Sequence, residues 1–231
     1  MSPRYRGSLW LALALALVLV SLCPVILAIP SDPFTISADA STDTYLSSAA
    51  PNDAMGSASE LWVTSHQASQ NWTLVAFDPT VLVKADDRVL HADMRLSVAR
   101  SDAGSWPVSI FTGRILTEWR ELAATWNTAP GVGCEANTVT VLDAPIVRGT
   151  IIAIDVTTLL RHWQALGPSQ DFGMVIRMFG NTTEASLAFA SRENVLLKEP
   201  RLEITTQAGL PAAFWSTFSV LGNVAPKVCP R

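Results

Sequence analysis

Between residues 62 and 163 the chain carries six tryptophans, Trp62, Trp72, Trp106, Trp119, Trp126 and Trp163, and its nearest tyrosine is Tyr45. Indoles on an exposed acidic surface stack on the C–H face of a sugar ring while Asp, Asn and Arg take its hydroxyls. Indoles in a core do something else, filling volume with the N–H bonded to a carbonyl. Trp62, Trp126 and Trp163 are read as core fillers, and Trp72, Trp106 and Trp119 are the candidates for a ligand face.

The carboxylates offer two further chemistries. Glu118, Glu121, Asp155, Asp171 and Glu193 fall near loops or element ends; two acids about 5 to 9 Å apart would serve glycoside hydrolysis. No spacing rule pairs them, and their expected work is to accept loop amides or to pair with Arg120, Arg161 or Arg192. Asp39, Asp43, Asn52 and Asp53 are hard oxygen donors of the kind calcium takes. No twelve-residue calcium loop encloses them, and turn formation is the simpler role. His66, His91 and His162 are isolated and read as surface or rim residues. The chain has no Gly-x-Ser-x-Gly, His-Glu-x-x-His, phosphate-binding or dinucleotide motif, so it is read as a binding protein rather than an enzyme.

These side chains must be positioned by strands. From Pro30 to about Gln207 short apolar runs alternate with Gly, Pro, Asp, Asn and Ser clusters. The clearest run is Val89 to Val98, where Leu90, Ala92, Met94, Leu96 and Val98 alternate with His91, Asp93, Arg95 and Ser97, one side for a core and one for water. Further strands are expected at Thr44 to Leu46, Glu60 to Thr64, Trp72 to Phe77, Val108 to Phe111, Thr138 to Leu142, Thr150 to Ile154, Gly173 to Met178, Ser186 to Ala190 and Arg201 to Thr205. Ten short strands predict an all-β fold, a two-sheet antiparallel jelly-roll-like sandwich. One segment has a helical period: Val156, Leu159, Leu160 and Trp163 follow a capping Asp155. This predicts a short helix over Asp155 to Leu166 that covers an open sheet end.

The N-terminus sets the expected compartment. Arg4 and Arg6 precede an apolar run from Leu9 to Leu22, with Cys23, Pro24 and Ala28 after it. Residues 1–28 are read as a signal peptide; an uncleaved anchor and a lipidated Cys23 are the alternatives, and only these would bring the chain to a membrane. The formal charge is −4 and becomes more negative without Arg4 and Arg6, which gives no electrostatic basis for holding nucleic acid. In an oxidising compartment Cys134 and Cys229 are free to pair. Asn71-Trp-Thr and Asn181-Thr-Thr match the N-glycosylation pattern. The domain is expected at 34–207, and 208–231 is read as an apolar C-terminal tail, uncharged from Gly209 to Pro226.

The order of motifs resembles the secreted β-sandwich domains called DNRLRE domains, which overlap carbohydrate-binding module family 96. The resemblance rests on Ala38 to Tyr45 with Asn52 and Gly56, on Leu74-Val75-Ala76-Phe77-Asp78, and on Ala92-Asp93-Met94-Arg95-Leu96. It continues through Trp119-Arg120-Glu121 and Thr125-Trp126-Asn127-Thr128-Ala129-Pro130, then Ile154-Asp155-Val156-Thr157 with Trp163. Asp171-Phe172-Gly173, Phe189-Ala190-Ser191-Arg192-Glu193 and Pro200-Arg201-Leu202-Glu203-Ile204 complete it. Ala76 stands where relatives often carry Arg, and Asp171 where Asn is usual.

As framework, Thr125 to Pro130 is expected to form a side-chain-locked loop plugged by Trp126 and ended by Pro130, with Asn127 inside it. Arg192 and Glu193 are expected to pair across a loop mouth. The resemblance implies an extracellular, secreted or cell-surface module that binds polysaccharide or a surface glycan without catalysis. The alternative is a structural or adhesive ectodomain mediating protein contacts. No cofactor is expected, save calcium at the four oxygen-donor residues.

Overall fold

The computed structural model describes residues 32–66, 69–78, 87–103, 106–135, 137–166, 172–178 and 184–208. The expected leader, the tail beyond residue 208, Asp171, and the glycosylation motif at Asn181 lie outside the described residues. The elements, in chain order, are β1 (Phe34–Ser47), β2 (Glu60–His66), β3 (Ser69–Phe77), β4 (Arg88–Ala103), β5 (Val108–Arg114), β6 (Thr138–Leu142), β7 (Ile151–Asp155), α1 (Thr157–Leu166), β8 (Met174–Met178), β9 (Ala185–Ala190) and β10 (Arg201–Gln207). The fold is all-β with one short helix, and every strand pairing described is antiparallel.

Two long strands decide the architecture. β1 pairs with β10 through Phe34 to Asp39 and with β3 through Ala40 to Ser47, with a register shift between Ala40 and Thr42. β4 pairs with β10 and β7 in its first part and with β9 from Val98 onward, with a shift between Val98 and Arg100. An irregularity of this kind bends a strand and sharpens its twist, so each of the two changes neighbours along its length. The order β1-β10-β4-β9-β2-β3, with β3 returning to β1, therefore runs in a closed circuit. The expected sandwich is in this sense a sheet that closes as a barrel, which removes exposed edges along the circuit. β8, β5 and β6 extend the sheet outward from β3.

The main core fills the inside. Leu61 and Val63 of β2, Val75 and Phe77 of β3, Met94, Leu96 and Val98 of β4, Ile110, Met174, Ile176, Leu187, Phe189, Leu202 and Ile204 form one buried cluster. α1 adds Leu159, Leu160 and Trp163, preceded by Val156, to the same cluster. Burying an apolar side chain of this size is worth about 1.5–3 kcal/mol, which is why so short a helix holds.

Its start is fixed by Asp155, whose Oδ1 accepts the Thr157 N–H at 2.9 Å, and by Thr157 Oγ1, which accepts the Ala92 N–H at 2.9 Å. Arg161 donates to the carbonyls of Val89 and Leu90, both at 3.0 Å. It thus clamps the helix to β4 rather than pairing with an acid.

A second buried cluster lies on the other side of the β3-β8-β5 sheet. Leu46, Trp72, Leu74, Phe111, Val175, Ile115, Ala124 and Val132 form it, and Trp119, Trp126, Ala129 and Phe172 pack against it. The long connection from Ile115 to Val132 closes over this face, and it is the connection that carries the Trp119-Arg120-Glu121 and Thr125–Pro130 motifs.

Candidate functional site

Three arrangements bring chemistry-bearing side chains together. The first is the face covered by the 115–132 connection, where two of the three candidate ligand tryptophans lie. Trp72 is buried, its ring centroid 4.9 Å from that of Trp126 at an interplanar angle of 58°. Arg177 stands over both Trp72, at 5.2 Å, and Phe111, at 4.5 Å. Burial disfavours the charged form of Arg177 and lowers its pKa. With the surroundings of its ring occupied in this way, Trp72 offers no stacking surface, which corrects its place among the candidates. Trp119 is half-buried, and its indole N–H donates to the Phe172 carbonyl at 2.7 Å. Trp106 is half-buried and packs on the main core.

The framework residues hold this covered face together. Thr125 and Thr128 lock the loop: the Thr125 N–H donates to Thr128 Oγ1 at 3.0 Å and the Thr128 N–H to Thr125 Oγ1 at 3.3 Å. Asn127 donates its side-chain amide to Asn52 Oδ1 at 2.8 Å and its N–H to the Pro51 carbonyl at 3.0 Å. These bonds stitch the 51–52 turn to the loop, which runs on through Pro130. Trp163 is buried as expected of a filler, but its indole Nε1 has no hydrogen-bond partner among the described residues.

The second arrangement is an open depression of about 440 Å³ where β1, β2, β3 and β9 meet, lined by Tyr45, Ser47, Trp62, Thr64, Ser69, Asn71 and Ser186. Strand register gathers them: Thr64 stands opposite both Asn71 and Ser186, and Ser47 stands opposite Asn71. Tyr45 and Trp62 are both half-buried. The Asn71 amide donates to Thr64 Oγ1 at 3.0 Å, and Thr64 Oγ1 lies 3.4 Å from Ser186 Oγ. Asn71 Oδ1 is buried and accepts no hydrogen bond among the described residues. Burial, and then the Glu60 charge, push the Tyr45 phenol up from its ordinary pKa.

Trp62 therefore sits here, not in the core interior where it was expected. The signal was present in its neighbours. Leu61 and Val63 are fully buried, and a period of two turns Trp62 and Thr64 to the opposite face.

The third is a cluster of carboxylates. Oxygens of Asp43, Glu121 and Glu193 all lie within 4.8 Å of one another. β1 supplies Asp43, a turn closed by Ala123 and Ala124 N–H bonds to the Arg120 carbonyl supplies Glu121, and the turn after β9 supplies Glu193. Asp43 Oδ2 accepts the Arg192 N–H at 3.0 Å, and Glu121 Oε1 accepts the Asp43 N–H at 3.0 Å. Burial pushes the Asp43 carboxyl up to about 7, offset in part by the Arg192 N–H and raised further by Glu193 and Glu121. Arg192 reaches Glu121, at 3.3 Å, rather than its neighbour Glu193.

The four oxygen-donor residues expected for calcium do not converge. Asp39 pairs with Arg201 at 2.6 Å, Asn52 accepts from Asn127, and Asp53 is exposed. Only Asp43 joins the cluster. Sequence spacing had no means of finding Glu121 and Glu193, 78 and 150 residues further on, because tertiary packing alone brings them to Asp43.

The geometry thus defines a closed antiparallel β domain bearing an aromatic, hydroxyl-lined depression. The family model for carbohydrate-binding module family 96 matches residues 35–206, so the chain belongs to that family and its class of function is carbohydrate binding. A search of curated proteins returns no match.

Proposed function

We propose that the chain is a non-catalytic module that binds polysaccharide in the depression formed by Tyr45, Trp62, Thr64, Asn71 and Ser186. The observation that carries this reading is the meeting of two half-buried aromatic side chains with a buried acceptor, Asn71 Oδ1, that has no partner among the described residues, in an open depression. Aromatic rings supply flat apolar surface for the C–H face of a sugar, and Asn and hydroxyl side chains supply donors and acceptors for its hydroxyls. A buried acceptor left unpaired costs free energy, which a sugar hydroxyl entering the depression would recover.

The carboxylate cluster gives no better support to a cleaving enzyme. Asp43 and Glu121 are engaged by Arg192 and by a backbone amide, and the depression described above is not lined by Asp43, Glu121 or Glu193. An extracellular setting fits this reading: Cys134 is disulfide-bonded, a state that oxidising compartments sustain, and the N-terminal residues read as an export signal. The motif order likewise fits the secreted DNRLRE domains.

The test is a panel of immobilised polysaccharides probed with the full-length protein. Wild type should bind at least one, and Trp62→Ala should weaken that binding about tenfold or more, a loss of about 1.4 kcal/mol or more, while Trp106→Ala binds as wild type. Undiminished binding by Trp62→Ala would remove the depression as the site.

A further inference from the structure

We propose that Asp43, Glu121 and Glu193 hold a divalent cation of the calcium class. The argument starts from a buried group left without a partner. Asp43 is 1% exposed, its Oδ2 is taken by the Arg192 N–H, and its Oδ1 is buried with no hydrogen bond among the described residues. A carboxylate oxygen removed from water and given no donor is costly. Around it stand two more carboxylates, with ligand oxygens of the three residues all within 4.8 Å of one another.

The spacing fits one ion. Oxygens held on calcium at about 2.3–2.6 Å are at most about 4.6–5.2 Å apart across it. The charge fits as well. Three carboxylates face one guanidinium, and a divalent ion would balance the excess.

Arg192 neutralises the cluster only in part. Its Nη1 lies 3.3 and 3.4 Å from the two Glu121 oxygens, longer than the 2.7–2.9 Å typical of a tight charge-assisted bond. With Oε1 held by the Asp43 N–H, it is Glu121 Oε2, bound only by this long contact, that can turn toward a stronger cation.

The three donors come from segments far apart in the chain, and the packing between them is close. A Cβ added at Gly56 would stand 2.2 Å from the Glu121 carbonyl oxygen, so the 51–58 turn presses directly on the Glu121 turn. Ser191 binds back to the same turn through its hydroxyl, to the Ala58 carbonyl at 2.7 Å. An ion here would tie β1, the 115–132 connection and the turn after β9 into one unit. Asp43 is two residues from Tyr45 on the same strand, which links the ion to the depression through a short length of β1.

The experiment uses the full-length protein, stripped with EDTA and titrated with calcium chloride or magnesium chloride, followed by calorimetry and thermal unfolding. The expected result is one calcium per chain and a Tm raised by about 5 °C or more at a hundredfold excess over Kd, with a smaller rise for magnesium. Glu193→Gln should weaken calcium binding at least tenfold and lose the Tm rise. Because Glu193 is exposed, the variant should keep the metal-free Tm of wild type. Asp53→Asn should respond to calcium as wild type does. A wild-type Tm indifferent to calcium, or an undiminished calcium response in Glu193→Gln, would overturn the site. Equal response to magnesium would overturn the calcium assignment.

Discussion

Gly173 shows how closely single residues are specified. Its φ is 98°, and a Cβ placed there would lie 2.4 Å from the Val75 carbonyl oxygen, inside contact distance. Gly173→Ala should therefore destabilise the protein by about 2 kcal/mol or more, through the left-handed backbone and the forced shift of β3; urea unfolding measures it. A midpoint within error of wild type would show that β3 moves without cost. The Phe172-Gly173 pair was visible in the motif order, but the reason for the glycine was not. The same holds for the tryptophans. Counting indoles does not say which face each takes: Trp72 is buried under the 115–132 connection, and Trp62 is half-buried on the open depression.

At the scale of elements, periodicity was a good guide where large apolar residues alternate. All ten expected strands overlap strands of the structure, and the helix begins two residues after the expected Asp155 start. What was not legible was the length of β1 and β4. From Ser37 to Asp43, β1 carries only small or polar side chains, and its buried members there are Ala38, Ala40 and Asp43, a weak signal for a strand. β4 continues past Val98 only by way of an irregularity that interrupts the period of two.

The helix start carries its own prediction. The Thr157 hydroxyl and N–H hold the Asp155 carboxyl below its ordinary pKa, against a desolvation contribution that raises it. A depressed pKa means that ionised Asp155 stabilises the fold at neutral pH and that the contribution fades as pH falls through and below about 4. Asp155→Ala should cost about 1 kcal/mol at pH 7, with a smaller gap from wild type at pH 3, read by thermal unfolding at the two pH values. A gap that is constant with pH would mean that the cap acts without its charge.

For the whole molecule, closure is what places the depression. Because β1 bends from β10 to β3 and β2 bridges β9 to β3, Tyr45, Trp62, Asn71 and Ser186 arrive at one place from four strands. Family membership establishes carbohydrate as the class of ligand, and the circuit of strands supplies one surface with the right mixture of rings and hydroxyls. The direct measurement is amide NMR of the full-length protein titrated with an oligosaccharide cut from whichever polysaccharide it binds. Shifts confined to residues 45–47, 62–64, 69–71 and 186 are the result this account predicts. Shifts centred instead on Trp106, or on the Trp119 to Trp126 connection, with the depression unmoved, would contradict it.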